Sequence, residues 1–161
     1  MSLLFALILW VHLFSAIVLV GGSFFIWLVV WPASYKIAKD EADRTRMVGR
    51  IAKRFAYFTH GTVVALVLSG LYLAAPYIEA PALLLSTFAG DVLLVKMVLV
   101  VSAVSLMYAN NIYHGRKIMR LVAEGRLDDV KRVRRLTHVA SYVTLGLLVA
   151  ITVLGAVLVS G

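Results

Sequence analysis

The sequence predicts an all-α integral membrane protein: a single up-down bundle of four helices, with both termini outside and two basic loops in the cytoplasm. Three observations carry that reading. Of 161 residues, 62% are hydrophobic, well above the roughly 45–50% of a soluble domain. Charge is missing from four long stretches: none lies before Lys36, from Phe55 to Ile78 or from Leu136 to Gly161, and Val92 to Tyr113 carries only Lys96. Each exceeds the ~20 residues that cross a hydrocarbon core of ~30 Å. The charges that remain gather in two connections, and the absence of period-2 alternation excludes a barrel.

Taken in order, the first span covers about 3–31. Its apolar character runs too far, and lacks the basic start, for a cleaved leader, so it is expected to be retained. Trp10 brackets it on one side and Trp27 with Trp31 on the other, as interfacial aromatics do, and Pro32 is expected to mark the exit from the bilayer. The first basic loop, 36–54, holds seven Lys/Arg against three Asp/Glu, a net +4, with room for a surface helix from Asp40 to Lys53.

A second span covers about 55–76. The outer connection that follows, Pro76 to Asp91, contains two acids, no base and the apolar run Leu83-Leu84-Leu85, which predicts an irregular, partly re-entrant segment. The third span covers about 92–113, and Asn110 and Asn111 are expected to cap its end. The second basic loop, 114–135, is net +5 and has room for a helix from Leu121 to Arg135. The fourth span covers about 136–159. The positive-inside rule puts both basic loops in the cytoplasm, in a membrane of the prokaryotic inner-membrane type.

The net charge of +8 follows from this topology and from attraction to anionic lipid, so no nucleic-acid partner is implied. The lack of cysteine rules out disulfides, thiolate metal sites and c-type haem attachment. No acid pair, Ser/His/Asp set, phosphate loop or zinc spacing is present, which leaves redox chemistry or transport.

A shift of 78 residues superposes two copies of one pattern, Lys53-Arg54-x4-Thr59-His60 and Lys131-Arg132-x4-Thr137-His138, and also matches Tyr35 with Tyr113 and Lys39 with Lys117. The copies read as parallel repeats about an axis along the membrane normal. His60 and His138 would then lie at one depth on diagonally opposed helices, where two imidazoles could ligate haem iron from both sides and favour electron transfer. The plain alternative is that each sits at the interface, tethered to a phosphate or a carbonyl. Gly70 and Gly146 are candidates for a macrocycle edge or a close helix contact.

His12 and Lys96 lie on the other diagonal, near the outer surface. Lys96 either snorkels to the headgroups or holds a propionate or acidic substrate; deprotonated, it would be an iron ligand. His114 reads as a solvated interfacial residue. Met97 and Met107, ten apart, are soft donors that with the histidines could receive Cu(I), although methionines in a span are more often packing.

Arg54-Phe55 leading to Leu68-Ser69-Gly70-Leu71-Tyr72, then Asp91-Val92-Leu93-Leu94-Val95-Lys96-Met97 and Asn110-Asn111, resembles the copper-resistance D domain, over about two-thirds of the chain. In size, helix plan, a first-helix His and a third-helix Lys, the chain is also similar to the HemJ-type protoporphyrinogen IX oxidases. That second resemblance implies haem b at His12 and Lys96. It departs where Leu28-Val29-Val30-Trp31-Pro32 replaces the oxidase's Leu-Pro-Arg.

Taken together, the leading expectation is a b-type haem protein, with one or two haems, that passes electrons in the bilayer to a quinone, a porphyrinogen or a respiratory partner. Alternatives are a copper permease or tolerance component, a protoporphyrinogen IX oxidase-like enzyme, and a structural subunit of a respiratory complex. Gly21, Gly22 and Ser23 leave room for a homo-oligomer.

Overall fold

The computed structural model describes residues 2–160, so residues 1 and 161 at the ends of the expected domain lie outside it. The chain is a helical membrane bundle. Its order is α1 (Leu3–Phe25), a π turn at Ile26–Val30, α2 (Trp31–Ile37), α3 (Glu41–Leu73), α4 (Ala75–Glu79), α5 (Pro81–Ser86), α6 (Phe88–Ala109), a second π turn at Asn110–His114, α7 (Gly115–Ala123) and α8 (Leu127–Ser160). Four continuous rods are long and apolar enough to cross a membrane: Leu3–Ile37, Glu41–Leu73, Phe88–Ala123 and Leu127–Leu158.

These rods outrun the spans expected from hydropathy. At 1.5 Å per residue the first, of 35 residues, is about 50 Å long against a hydrocarbon core of ~30 Å. The excess lies at the basic end. There the expected loops are helix, because neither Asp40–Lys53 nor Leu121–Arg135 contains a proline, and the connections shrink to tight turns. Asp40 caps α3 by accepting the Asp43 N–H at 2.8 Å, and Gly125 takes the left-handed conformation (φ 71°) that turns the chain into α8.

Pro32 does not end the first rod either. The wide turn before it, in which the Trp31 N–H reaches back five residues to the Ile26 carbonyl, lets the helix pass a ring that has no N–H to donate. Asn110 and Asn111 likewise fall inside a π turn rather than at a helix end. The outer connection is also more regular than expected. It forms α4 and α5, with α5 laid on the start of α6 where Gly90 admits the backbone of Leu83 and Leu84. Leu85 there is exposed, as suits a side chain facing lipid.

α1 packs along α3 and α6 along α8, and the two pairs join through α1 and α8. This leaves α3 and α8 on one diagonal and α1 and α6 on the other. Gly22 accommodates the Phe55 ring where α1 meets α3. Mid-bundle, Leu19, Val63 and Leu148 form a dry layer completed by Val104, Met107 and Tyr108. At the basic end a second small core of Leu121, Val122, Val130 and Val133 ties α7 to α8. Two polar levels flank the dry layer.

Candidate functional site

The outer level takes one or more residues from every rod. His12 on α1 meets Ser69 on α3, its Nδ1 lying 2.9 Å from the Ser69 hydroxyl. That hydroxyl donates its single proton to the Ala65 carbonyl, 2.5 Å away within the same helix. It is therefore an acceptor toward His12 Nδ1, and the Leu66 carbonyl also lies within reach of the ring. Such an outer-shell partner is what orients a metal-ligating histidine. Gly70, the next residue of α3, makes room for the ring, since a Cβ there would stand 3.2 Å from His12 Cε1.

Lys96 reaches the same level from α6. Its Nζ lies 3.4 Å from where a Cβ on Gly155 of α8 would be, and it is within electrostatic reach of His12. No carboxylate pairs with it among the described residues. The two residues expected on one diagonal thus lie at one level of the bundle, with the half-buried Lys96 side chain laid against Gly155 of α8.

The inner level is a cleft of about 230 Å³ between the dry layer and the basic end. Trp27 and Trp31 form one wall, Phe55, Ala56 and Thr59 another, and Asn110, His138 and Ser141 the polar side. Both tryptophans meet the His138 ring edge-on, with centroids 5.0 and 4.7 Å away. They are half-buried and face inward, so their role here is to wall the cleft rather than only to mark the interface. His138 Nε2 is buried and has no hydrogen-bond partner among the described residues.

Below His138, one turn back on α8, Arg134 is 8% exposed. It is paired with Glu41 and Thr45 of α3 and lies over the Trp31 ring at 5.2 Å. Asn110 spans the other side. It donates to Ser141 Oγ at 3.0 Å and to the Thr137 carbonyl at 3.4 Å, and its carboxamide oxygen accepts from His114 Nδ1 at 2.9 Å. His114 is thus a half-buried member of a bridge rather than a solvated residue.

His60 is placed differently from the bis-imidazole expectation. It lies exposed on α3 with its ring 5.1 Å from Tyr108, while His138 sits in the cleft, so the two do not form an opposed pair. The reason is rotational: Thr59 is the buried member of its Thr-His pair, which turns His60 outward. Gly70 acts as a contact, but Gly146 faces open space. Met97 is exposed, and Met107 borders the cleft.

Sequence reasoning missed Ser69, Asn110, Ser141 and Arg134 as site residues. Each was visible as a polar side chain one turn or less from an apolar-span histidine or glycine, or alone in an apolar run. What was not visible was that the two π turns aim Trp27 and Asn110 into one space, as such turns often do at functional sites. Comparison with known proteins finds no family model, curated protein or solved structure that matches this chain.

Proposed function

We propose that this chain is a b-type haem protein of a prokaryotic inner membrane, carrying electrons within the bilayer, with its haem at the outer level. The observation that carries the reading is the Ala65–Ser69–His12 relay, which holds the imidazole through Nδ1 and leaves Nε2 as the nitrogen that would face iron. A neutral imidazole nitrogen is the donor that haem iron takes. The donor chemistry therefore fits the group, and Gly70 and Gly155 are the small positions against which the His12 ring and the Lys96 Nζ lie.

His12 would hold the iron and Ser69 would hold the ring. Lys96 is assigned the counter-charge, because an ammonium at that depth is costly unless an anion meets it and a propionate is such an anion. Haem supplies a one-electron couple at its iron. The surrounding apolar layer of Leu19, Val63 and Leu148 keeps water from that level.

This reading agrees with the resemblance to the HemJ-type proteins at His12 and Lys96 while leaving the oxidase activity aside. For the copper reading, no group of three or more His, Asp or Glu comes together among the described residues, and Met97 points away from the bundle. The test is spectroscopic. Protein purified in detergent from haem-supplied cells is recorded oxidised and dithionite-reduced. A Soret band lost in His12→Ala, altered in Ser69→Ala and Lys96→Met, and intact in His60→Ala is the expected result. Full haem content in His12→Ala, or no Soret band in the parent protein, would sink the assignment.

A further inference from the structure

The inner cleft holds a polar atom that the outer level does not use. His138 Nε2 is buried without a hydrogen-bond partner, and leaving such an atom unmet is costly in a packed interior. Thr59, Thr137 and Thr144 each donate to a carbonyl of their own helix, and Ser141, which accepts from Asn110, makes no hydrogen bond to His138 Nε2. Asn110 is committed to Ser141, Thr137 and His114. The cleft therefore has one hydrogen-bonding position to fill.

Three properties define what fills it. First, size: 230 Å³ lies below the ~300–1,000 Å³ of sites for drug-sized ligands, which suits one or two fused six-membered rings and not a tetrapyrrole. Second, charge: Arg134 is the one charged side chain among the described residues that line the space, and its guanidinium is turned to Glu41 and Thr45 at the base of the cleft, so the walls around His138 are uncharged. Third, shape: the Trp27 and Trp31 indoles and the Phe55 ring give the aromatic surfaces on which a flat ring packs. The cleft also belongs to the bilayer-spanning part of the bundle, where neutral ligands dissolved in lipid arrive.

We propose that this cleft binds the ring of a membrane-soluble quinone, with His138 Nε2 as its hydrogen-bond anchor and Trp27 and Trp31 as its walls. An imidazole serves both oxidation states of such a ligand. As one tautomer it donates to a quinone carbonyl, and as the other it accepts from a quinol hydroxyl. Asn111 and Met119 are exposed at the rim, with the Met119 thioether laid against Gly49 of α3, a flexible side chain at the edge past which a tail would leave. The site does not depend on the haem assignment, which concerns the opposite side of the dry layer.

The test uses the full chain in phosphatidylcholine–phosphatidylglycerol nanodiscs, in a Trp10→Phe background so that fluorescence reports Trp27 and Trp31. A decyl-benzoquinone and a methyl-naphthoquinone are titrated as probes. Saturable quenching is expected, weakened about tenfold in His138→Leu by loss of one hydrogen bond in a dry site, partly restored in His138→Gln, and abolished in Ala56→Phe, which fills the cleft. Should His138→Leu fail to fold, Ala56→Phe and His138→Gln decide the matter by the same readout. Quenching that rises linearly with quinone in the membrane and is equal in all variants overturns the proposal. A Soret band lost in His138→Leu also overturns it, because His138 would then be an iron ligand, and the outer haem assignment would fail separately through His12→Ala.

Discussion

Thr59-His60 and Thr137-His138 are the same dipeptide behind the same Lys-Arg pair, yet one histidine is exposed and the other is enclosed. Locally the copies agree: Thr59 Oγ1 donates to the Phe55 carbonyl at 3.0 Å and Thr137 Oγ1 to the Val133 carbonyl at 3.1 Å. They part in what surrounds them. The second copy has Arg134 one turn before its histidine, whereas the first has Ala56 at the matching position. The second also faces two tryptophans brought round by a π turn, and the first meets only Tyr108. A sequence repeat thus fixes the local Thr-to-carbonyl hydrogen bond and leaves the site to whatever packs against it.

The comparison breaks most sharply at Arg134. Replacing it with Met removes the link across the bundle from α8 to Glu41 and Thr45 while Glu41 keeps Arg44, and is expected to cost about 2–3 kcal/mol through the charged hydrogen bonds lost, measured by denaturant titration in detergent. Ala56→Ser at the matching site in the first copy is expected to cost less than about 0.5 kcal/mol. Next in size is Trp31→Ala, which removes a half-buried indole that touches both His138 and Arg134. About 2 kcal/mol is expected, below the range for a fully buried aromatic, and a drop in thermal midpoint checks it.

His138→Leu sharpens the comparison in a different direction. The substitution removes an unmet buried nitrogen, so unchanged or slightly higher stability, by up to about 1 kcal/mol, is expected in the absence of ligand. A loss of more than that would show that the imidazole serves the fold. His60→Leu is expected to stay within about 0.5 kcal/mol by the same titration. The smallest effect belongs to the exposed pair of Lys131 and Asp128, 3.0 Å apart, where Asp128→Asn is expected to shift stability by less than about 0.5 kcal/mol.

Much of the fold was legible because hydrophobic length and charge placement act on the whole bilayer. Phe55–Ile78 and Leu136–Gly161 are long uncharged runs with the length to cross it, and the basic clusters mark the end at which the rods extend beyond the apolar spans. That His12 and Lys96 lie at one level followed from the diagonal alone. The failures were rotational. A span of uniform Leu, Val and Ala carries no moment to say which face turns inward, so His60 and His138 looked equivalent. Pro32 and the Asn110-Asn111 pair read as helix ends, because a π turn carries no signature distinct from a break.

Those two wide turns have a consequence for how the chain tolerates change in length. Each is in effect a helix with one residue too many, held by the Ile26 and Asn110 carbonyls accepting from five residues on. Removing one residue from either can restore an ordinary α-helix with the flanking turns left nearly in register, because the wide turn had already absorbed the extra residue. For Asn110–His114 the change would be local: the wide turn that aims Asn110 into the cleft would be lost, while Ile118 would keep its place in the small core it joins on α7 and α8. A rod of unbroken α-helix would cross the bilayer just as well, and it would have no chamber at its base.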